Sequence, residues 1–499
     1  MRQIVTLHGV TNSRSGVFVV SALVTLTWLL LALFTIPRAI SRDVGDYGFF
    51  TGIAERLRAG DVLYVQVWDN KDPLVFYSLA MARTLGPNGV IGAWLLEIFW
   101  VVAAATALYV IARFQRVSRP LAAYVGFGLG PFVILGVAYF MGSTHLPAIA
   151  LTLISIACIY SRHPVVAGIS VGLIIFFKLV LAPMAIVIAM TALFALKRRT
   201  DLRWFALGMG AVIAAMSVVL FVRGELAGFA ETQIHNVLYS QSPIVTAEQS
   251  GLLQKMAQHI VILANPQVAA IEFTTLAIAI LTAPWWSRSK LQNVSTNALW
   301  WITASGLTGA VAVIGITGKW FHHAQALHIR AALSLVLLAS WLVNATTIRS
   351  LFIAGLCVLV TYPLAGLPQP SLYTTAVTNL PNRWEQATSP DTLTSILRER
   401  SPASVSFVGE TVPQASGLEK WTIACRHIAQ RPFNPEEVFD ETIECLPSSE
   451  VIVVSQALDV TTNFPAYDAF IAGVRGKLDE GFVCEENAGL LICESRQGV

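Results

Sequence analysis

Between residues 42 and 77 the chain places Asp43, Asp46, Glu55, Asp61, Trp68, Asp69, Lys71 and Asp72 among Phe49, Phe50, Tyr64 and Phe76. A carboxylate titrates near a pH of about 4, so at neutral pH it is ionised and can accept a proton from a hydroxyl. A lysine is a compact point charge suited to a phosphate oxygen. A base beside an anion-binding cation suits a reaction in which a hydroxyl attacks and a negatively charged group departs. A plain connection between two elements needs neither this length nor this mixture of charge and aromatics.

Other side chains invite the same question. Lys178 is embedded in Ile-Ile-Phe-Phe-Lys-Leu-Val-Leu. In mid-membrane it would be expensive and therefore functional, whereas at a bend near Pro183 it would snorkel to the interface. Glu97 and Glu272 also sit in apolar runs, with no motif to give them a role. His322, His323, His328 and Arg330 cluster at the start of another apolar run. Their spacing is poor for a metal, so one of His322 and His323 is expected to hydrogen-bond a phosphate or sugar. No nucleotide-binding or zinc-protease motif is present, and a divalent metal stays open although no motif calls for one or for another cofactor.

The elements that must hold these residues are mostly membrane helices. Of 499 residues, 55% are apolar and only 13% charged, far from the roughly one quarter charged of a soluble domain. Apolar runs long enough to cross a bilayer of about 30 Å recur through the first three quarters. Eleven spans are expected, near 17–37, 89–112, 120–140, 144–160, 164–178, 180–196, 203–222, 260–284, 298–316, 327–346 and 350–367. The stretch 164–196 reads either as one helix broken at Pro183 or as two meeting near Lys178. The split puts Arg113, Arg116, Arg119, Arg162, Lys197, Arg198, Arg199, Arg288, Lys290 and Arg349 on one side, which the positive-inside tendency makes cytoplasmic. The run 17–36, with no small-residue cleavage site after it, reads as a retained first span rather than a signal peptide. The net charge of +3 is too mild for a nucleic-acid surface.

After residue 367 charges become frequent. Strands are expected at 404–408 and 451–454, helices at 391–398 and 467–478, and a hairpin over 482–493 turning at Glu486-Asn487-Ala488-Gly489. The domains expected are thus a membrane domain, 1–367, with a first external loop at about 38–88, and a soluble α/β domain, 368–499. An odd number of spans puts that domain outside. Cys425, Cys445, Cys484 and Cys493 all lie in it, and two disulfides fit an oxidising compartment better than a zinc site does. The sequons at Asn293 and Asn344 fall at expected cytoplasmic helix ends and read as chance matches.

Three strings in the first loop, Asp46-Tyr-Gly-Phe-Phe, Gly60-Asp-Val-Leu-Tyr64 and Trp68-Asp69-Asn-Lys71-Asp-Pro73, resemble the first external loop of the GT-C superfamily. The likeness is nearest to the bacterial branch of protein O-mannosyltransferase and aminoarabinose-transferase type. Weaker echoes are Ala167-Gly168 to Lys178, Phe229 to Tyr239 with His235-Asn236, and Gly318-Lys319-Trp-Phe-His322-His323. The sequence departs from the family pattern at Gln66 and Asp72, where the family has an acid and a proline, and at Ser143-Thr144-His145, where it has Asn-x-Glu.

The resemblance implies a polytopic helical fold and an inverting glycosyltransferase of the plasma (inner) membrane, working on its outer face. It implies a sugar donor carried on a polyprenyl phosphate and an acceptor that is a cell-envelope glycan, lipid or protein. Asp46 stands at the family's Asp position as the base, with Asp43 second; either Asp would alternatively cap the following helix. Lys71 stands at the family's Lys position as the phosphate partner, or is a solvated loop lysine. Lys178 and Arg330 are further phosphate candidates, and Tyr64, Trp68, Asp69, His322 and His323 are candidates for substrate binding. Two rival readings remain: a flippase of lipid-linked sugars, which would show paired broken helices that are not evident here, and a non-catalytic assembly subunit, favoured by the loss of acid at Gln66.

Overall fold

A computed structural model describes residues 14–40, 45–85, 90–135, 144–241, 294–317, 327–344, 392–409, 421–427, 430, 436–455, 465–487 and 490–496. The helices in chain order are α1 (Arg14–Ile40), α2 (Gly45–Ala59), α3 (Pro73–Ala82), α4 (Val90–Phe114), α5 (Arg119–Ala123), α6 (Gly130–Leu135), α7 (His145–Tyr160), α8 (Pro164–Lys178), α9 (Ala182–Ala195), α10 (Leu202–Val222), α11 (Leu226–Gln241), α12 (Val294–Thr317), α13 (Leu327–Asn344), α14 (Thr392–Arg400), α15 (Glu436–Cys445) and α16 (Pro465–Gly481). The strands are β1 (Ser404–Val408), β2 (Thr422–Ile423), β3 (Val451–Val454), β4 (Phe482–Asn487) and β5 (Leu490–Ser495). Two compact units form, and they interleave along the sequence. One takes residues 1–37, 95–216 and 250–378; the other takes 38–94, 217–249 and 379–499.

The first unit is helical. Among the described residues, Ile91–Phe114, Pro164–Ala195 and Arg199–Val222 are apolar stretches long enough to cross a membrane. Their apolar side chains do not all turn inward: Val166, Val187 and Leu207 remain exposed, as a lipid-facing surface requires. Helices also occupy the expected spans 17–37, 144–160, 298–316 and 327–346, and α5 and α6 flank a π-helical segment, Tyr124–Leu129, inside the expected span 120–140. The expected spans 260–284 and 350–367 lie outside the described residues.

The 164–196 stretch is two helices. Lys178 leaves helical geometry at φ −164° and ψ 83°, a short 3₁₀ turn follows, and α9 starts at Ala182 with Pro183 in its first turn, where proline is tolerated. Beyond α9, Arg198 donates to the carbonyls of Ile159 and Tyr160, beside the start of α8. The chain has therefore doubled back. Close packing of α8 on α10 depends on glycine: a Cβ on Gly168 would lie 1.9 Å from the Phe205 carbonyl oxygen, and one on Gly208 2.1 Å from that of Val165. Small residues let apolar helices approach in this way.

The second unit contains a five-stranded mixed sheet in the order β2-β1-β3-β5-β4. β1 runs parallel to β2 and β3, and β5 runs antiparallel to β3 and β4. Every residue of β3 is buried, as expected of a short apolar run at the centre of a sheet. Phe439 of α15 and Tyr467, Phe470, Val474 and Leu478 of α16 pack with Ile452 and Val454 in one core. Cys484 faces Cys493 across the hairpin and is disulfide-bonded to it, and Cys425 is bonded to Cys445 at the end of α15. These are two bonds among the four cysteines expected to pair.

Candidate active site

The first-loop residues belong to the second unit. Phe49, Phe50, Ile53 and Ala54 form the buried face of α2, and Gly60, at φ 108°, takes the left-handed position that ends the helix. The amides of Gly60 and Asp61 then bond back to the carbonyls of Leu57 and Arg56 at 3.2 and 3.1 Å. Arg56 pairs with Asp61 at 2.5 Å, and the buried Glu55 carboxylate takes Arg58 at 2.6 Å and also Arg83.

A tight turn over residues 62–67 follows. Tyr64 sits at φ 65° and donates its amide to the Val67 carbonyl at 2.7 Å. The exposed Gln66 accepts the Val62 amide at 2.7 Å, so this departure from the family's acid closes a surface turn. The Lys71 amide donates to Asp69 Oδ1 at 2.9 Å, an Asx turn that orients the next three residues. Asp72, the other departure in this loop, is buried at the N-cap of α3 and accepts from Gln233 Nε2 at 3.2 Å. The acid absent at position 66 is matched by one gained at position 72.

These side chains converge. The Tyr64 hydroxyl donates to the Lys71 carbonyl at 2.7 Å. Lys71 Nζ lies 2.5 Å from Asn70 Oδ1, 3.9 Å from Asp69 and 5.6 Å above the centre of the Phe50 ring. Asn236 of α11 donates to the Asn70 carbonyl at 2.9 Å. Helix α11 approaches this closely because residue 228 is glycine; a Cβ there would meet the Tyr64 Cβ at 2.6 Å. Just before α11, the fully buried Glu225 accepts the Leu63 amide at 3.2 Å, Arg223 Nε at 2.8 Å and the Tyr77 hydroxyl. Burial raises the Tyr77 hydroxyl well above its ordinary pKa, and the Glu225 carboxylate adds to it. Burial likewise raises Tyr64, reinforced by the charges of Asp72, Asp69 and Glu225. Both phenols stay protonated and serve as donors.

The segment around β2 completes the cluster. Trp68 donates its amide to the Arg426 carbonyl at 2.9 Å, and its ring meets His427 edge-on at 5.0 Å and His235 at 6.4 Å. Arg426 grips Glu441 through two bonds of 2.6 Å and reaches the Tyr64 carbonyl at 3.2 Å and Glu231 at 3.4 Å. Arg56 donates to the Trp421 carbonyl at 2.5 Å. His427 Nε2 lies 2.8 Å from Glu441, whose pKa falls to about 2 through this hydrogen bond and the adjacent Arg426. Burial lowers the pKa of His427 itself. A neutral His427 with its proton on Nε2 satisfies both shifts and leaves Nδ1 as an acceptor. His427 Nδ1, Trp68 Nε1 and His235 Nδ1 are buried without a hydrogen-bonding partner among the described residues. The indole nitrogen and one nitrogen of each flanking imidazole thus have unused capacity.

Tyr64, Trp68, Asp69 and Lys71 are therefore brought together. Asp46 falls in the first turn of α2, while Asp43, His322, His323 and Glu272 lie outside the described residues. Lys178 and Arg330 belong to the helical unit, Lys178 at the break after α8 and Arg330 buried on α13 beside Gly306. His328 is buried, with Nδ1 3.1 Å from the Ile134 carbonyl, and His145 is buried at the start of α7. Sequence reasoning missed Glu225, Arg426, His427 and Glu441. The signal for Glu225 was an Arg-Gly-Glu directly after an apolar run; for the others only Cys425 marked the place.

Sequence comparison matches no family model and no curated protein. Structure comparison does find neighbours. ArnT from Cupriavidus metallidurans, in a structure bound to undecaprenyl phosphate, superposes with a TM-score of 0.51 at 12% identity, over 96% of this chain and 98% of ArnT. The arabinofuranosyltransferase AftD from Mycobacteria superposes with a TM-score of 0.52 at 14% identity, over 97% of this chain. The chain spans about 40% of the length of AftD. The fold of this chain is therefore the one shared by ArnT and AftD.

Proposed function

We propose that the protein is a membrane glycosyltransferase that moves a sugar from a polyprenyl-phosphate carrier to a hydroxyl of a cell-envelope glycan, lipid or protein on the outer face of the plasma membrane. The observation that carries this reading is the fold, shared along nearly the whole chain with ArnT, whose structure holds undecaprenyl phosphate. The compact Tyr64–Trp68–Asp69–Lys71 cluster supports it, since these are the residues through which the first loop resembles the family.

In this reading Asp46 removes the proton from the acceptor hydroxyl. The acceptor oxygen bonds to the anomeric carbon, the bond from that carbon to the phosphate oxygen breaks, and its electron pair leaves on polyprenyl phosphate. Lys71 meets the charge that develops on the departing phosphate, and the ring nitrogens around Trp68 offer hydrogen bonds to sugar hydroxyls.

The test is Asp46→Asn in purified protein reconstituted with a panel of undecaprenyl-phosphate-linked sugars. The substitution keeps the shape and removes the basic lone pair. Donor binding should persist while transfer falls about 10²–10⁴-fold, the usual range for loss of a general base. Full transfer by Asp46→Asn with none by Asp43→Asn would move the base to Asp43. Full transfer by both variants would refute the mechanism.

A further inference from the structure

Five helix ends meet in the helical unit: the C-termini of α4, α7 and α9 and the N-termini of α8 and α10. Between them opens a basin of ≈ 930 Å³. Arg116, Arg162, His163, Lys197 and Arg198 line it, and Asp201 is the one carboxylate among its lining residues.

Three of these cations share an unusual backbone. Arg116, Arg162 and Lys197 lie at φ 63°, 64° and 57°, each two residues beyond the last helical residue of α4, α7 or α9. Each end closes in the same way. The amides of Arg116, Arg162 and Lys197 bond back to Arg113, Ile159 and Phe194, and the following amides, of Val117, His163 and Arg198, to Ala112, Cys158 and Leu193. This is the Schellman cap, whose left-handed residue is ordinarily glycine. Three times over, a long cation occupies it instead. The helix dipole favours a cation near each such end, and the fold brings three of these ends to one opening.

The cations also burden one another. Burial lowers the pKa of Arg198, and the charge of Arg162 adds to the effect. Part of the basin's wall is apolar and open: Phe114, Val165, Val166 and Trp204 are all exposed. A soluble anion has no use for such a wall. A phospholipid has a phosphate for the cations and acyl chains for the wall, and basic pockets between membrane helices commonly hold such headgroups.

We propose that this basin binds the headgroup phosphate of an anionic phospholipid, with its acyl chains lying along Val165, Val166 and Trp204. The site is separate from the sugar-transfer reading and does not depend on it.

The test uses full-length protein in neutral detergent, with thermal unfolding followed during titration with phosphatidylglycerol, phosphatidylcholine or inorganic phosphate. Phosphatidylglycerol should raise the midpoint, and the other two should not. The triple variant Arg116→Gly/Arg162→Gly/Lys197→Gly removes the charge while giving each cap the residue its backbone favours, and it should lose the shift. Lys197→Gly alone, at an exposed position, should raise the lipid concentration for half the shift about fivefold, the effect of one surface cation. The same half-shift concentration in wild type and Lys197→Gly would overturn the proposal. So would an equal shift with phosphatidylcholine, the same shift with inorganic phosphate alone, or no shift with any of the three.

Discussion

Lys71 is held on three sides: by the Asn70 side chain, by Asp69 and by the Phe50 ring beneath it. An ammonium oriented in this way meets a phosphate with little further loss of side-chain freedom. Lys71→Ala should therefore lower turnover, and Lys71→Arg should restore only part of it, because a planar fork does not replace a point charge. Unchanged turnover in the alanine variant at normal expression would pass the role to Lys178 or Arg330. Glu441 yields a prediction in pH. Its folded pKa of about 2 lies below its unfolded value, so the folded form binds fewer protons and stability rises with pH. The contribution is present above a pH of about 4.5 and is lost as the pH falls towards 2. Glu441→Gln should be less stable than wild type at pH 6, and the gap in melting temperature should narrow below a pH of about 4.5 and close only near pH 2; a gap constant with pH would refute the assignment. At this scale the sequence showed which residues had capacity, not which would meet. Glu225 reaches Leu63 across 162 positions and Arg426 reaches Tyr64 across 362, and no local pattern encodes such pairings.

Helix α11 is locked to the first loop by the absence of one methyl group. Gly228→Ala would put a Cβ 2.6 Å from that of Tyr64, and overpacking of this kind costs about 1–3 kcal/mol. The variant should melt lower and lose activity, because moving α11 also moves Asn236 and Gln233. Gly476→Ala, in α16 with nothing within 4 Å of the new Cβ, is the control and should be stabilised by about 0.5–1 kcal/mol. Equal melting of the two variants would mean that α11 tolerates the displacement. The strands β1 and β3 and the β4–β5 hairpin were legible in the sequence because short apolar runs bounded by polar residues have few other uses. The break at Lys178 was harder to read. Pro183 was visible, yet proline is welcome in a helix's first turn, and the chain leaves helical geometry five residues earlier, at Lys178.

For the whole molecule, the expected outside location of residues 368–499 can be checked through the cysteines. A membrane-impermeant thiol reagent, applied to intact cells after mild reduction, should label Cys484 or Cys493. Labelling only after permeabilisation would reverse the topology and, with it, the side on which the Asp46 loop works. Composition made the membrane class plain. No change of composition marks the grouping of 38–94 and 217–249 with 379–499 in one compact unit. The bond from Arg56 to the Trp421 carbonyl joins residues 365 positions apart. A ribosome adding about 5–20 residues per second needs roughly 20–70 seconds to cover that stretch. Throughout that interval a nascent chain carries its first loop without the segment that braces it. A message cut short before Trp421 would therefore yield a protein with its early helices and the Asp46–Lys71 sequence but an unbraced cluster, so synthesis has to pass Trp421 before the site is assembled.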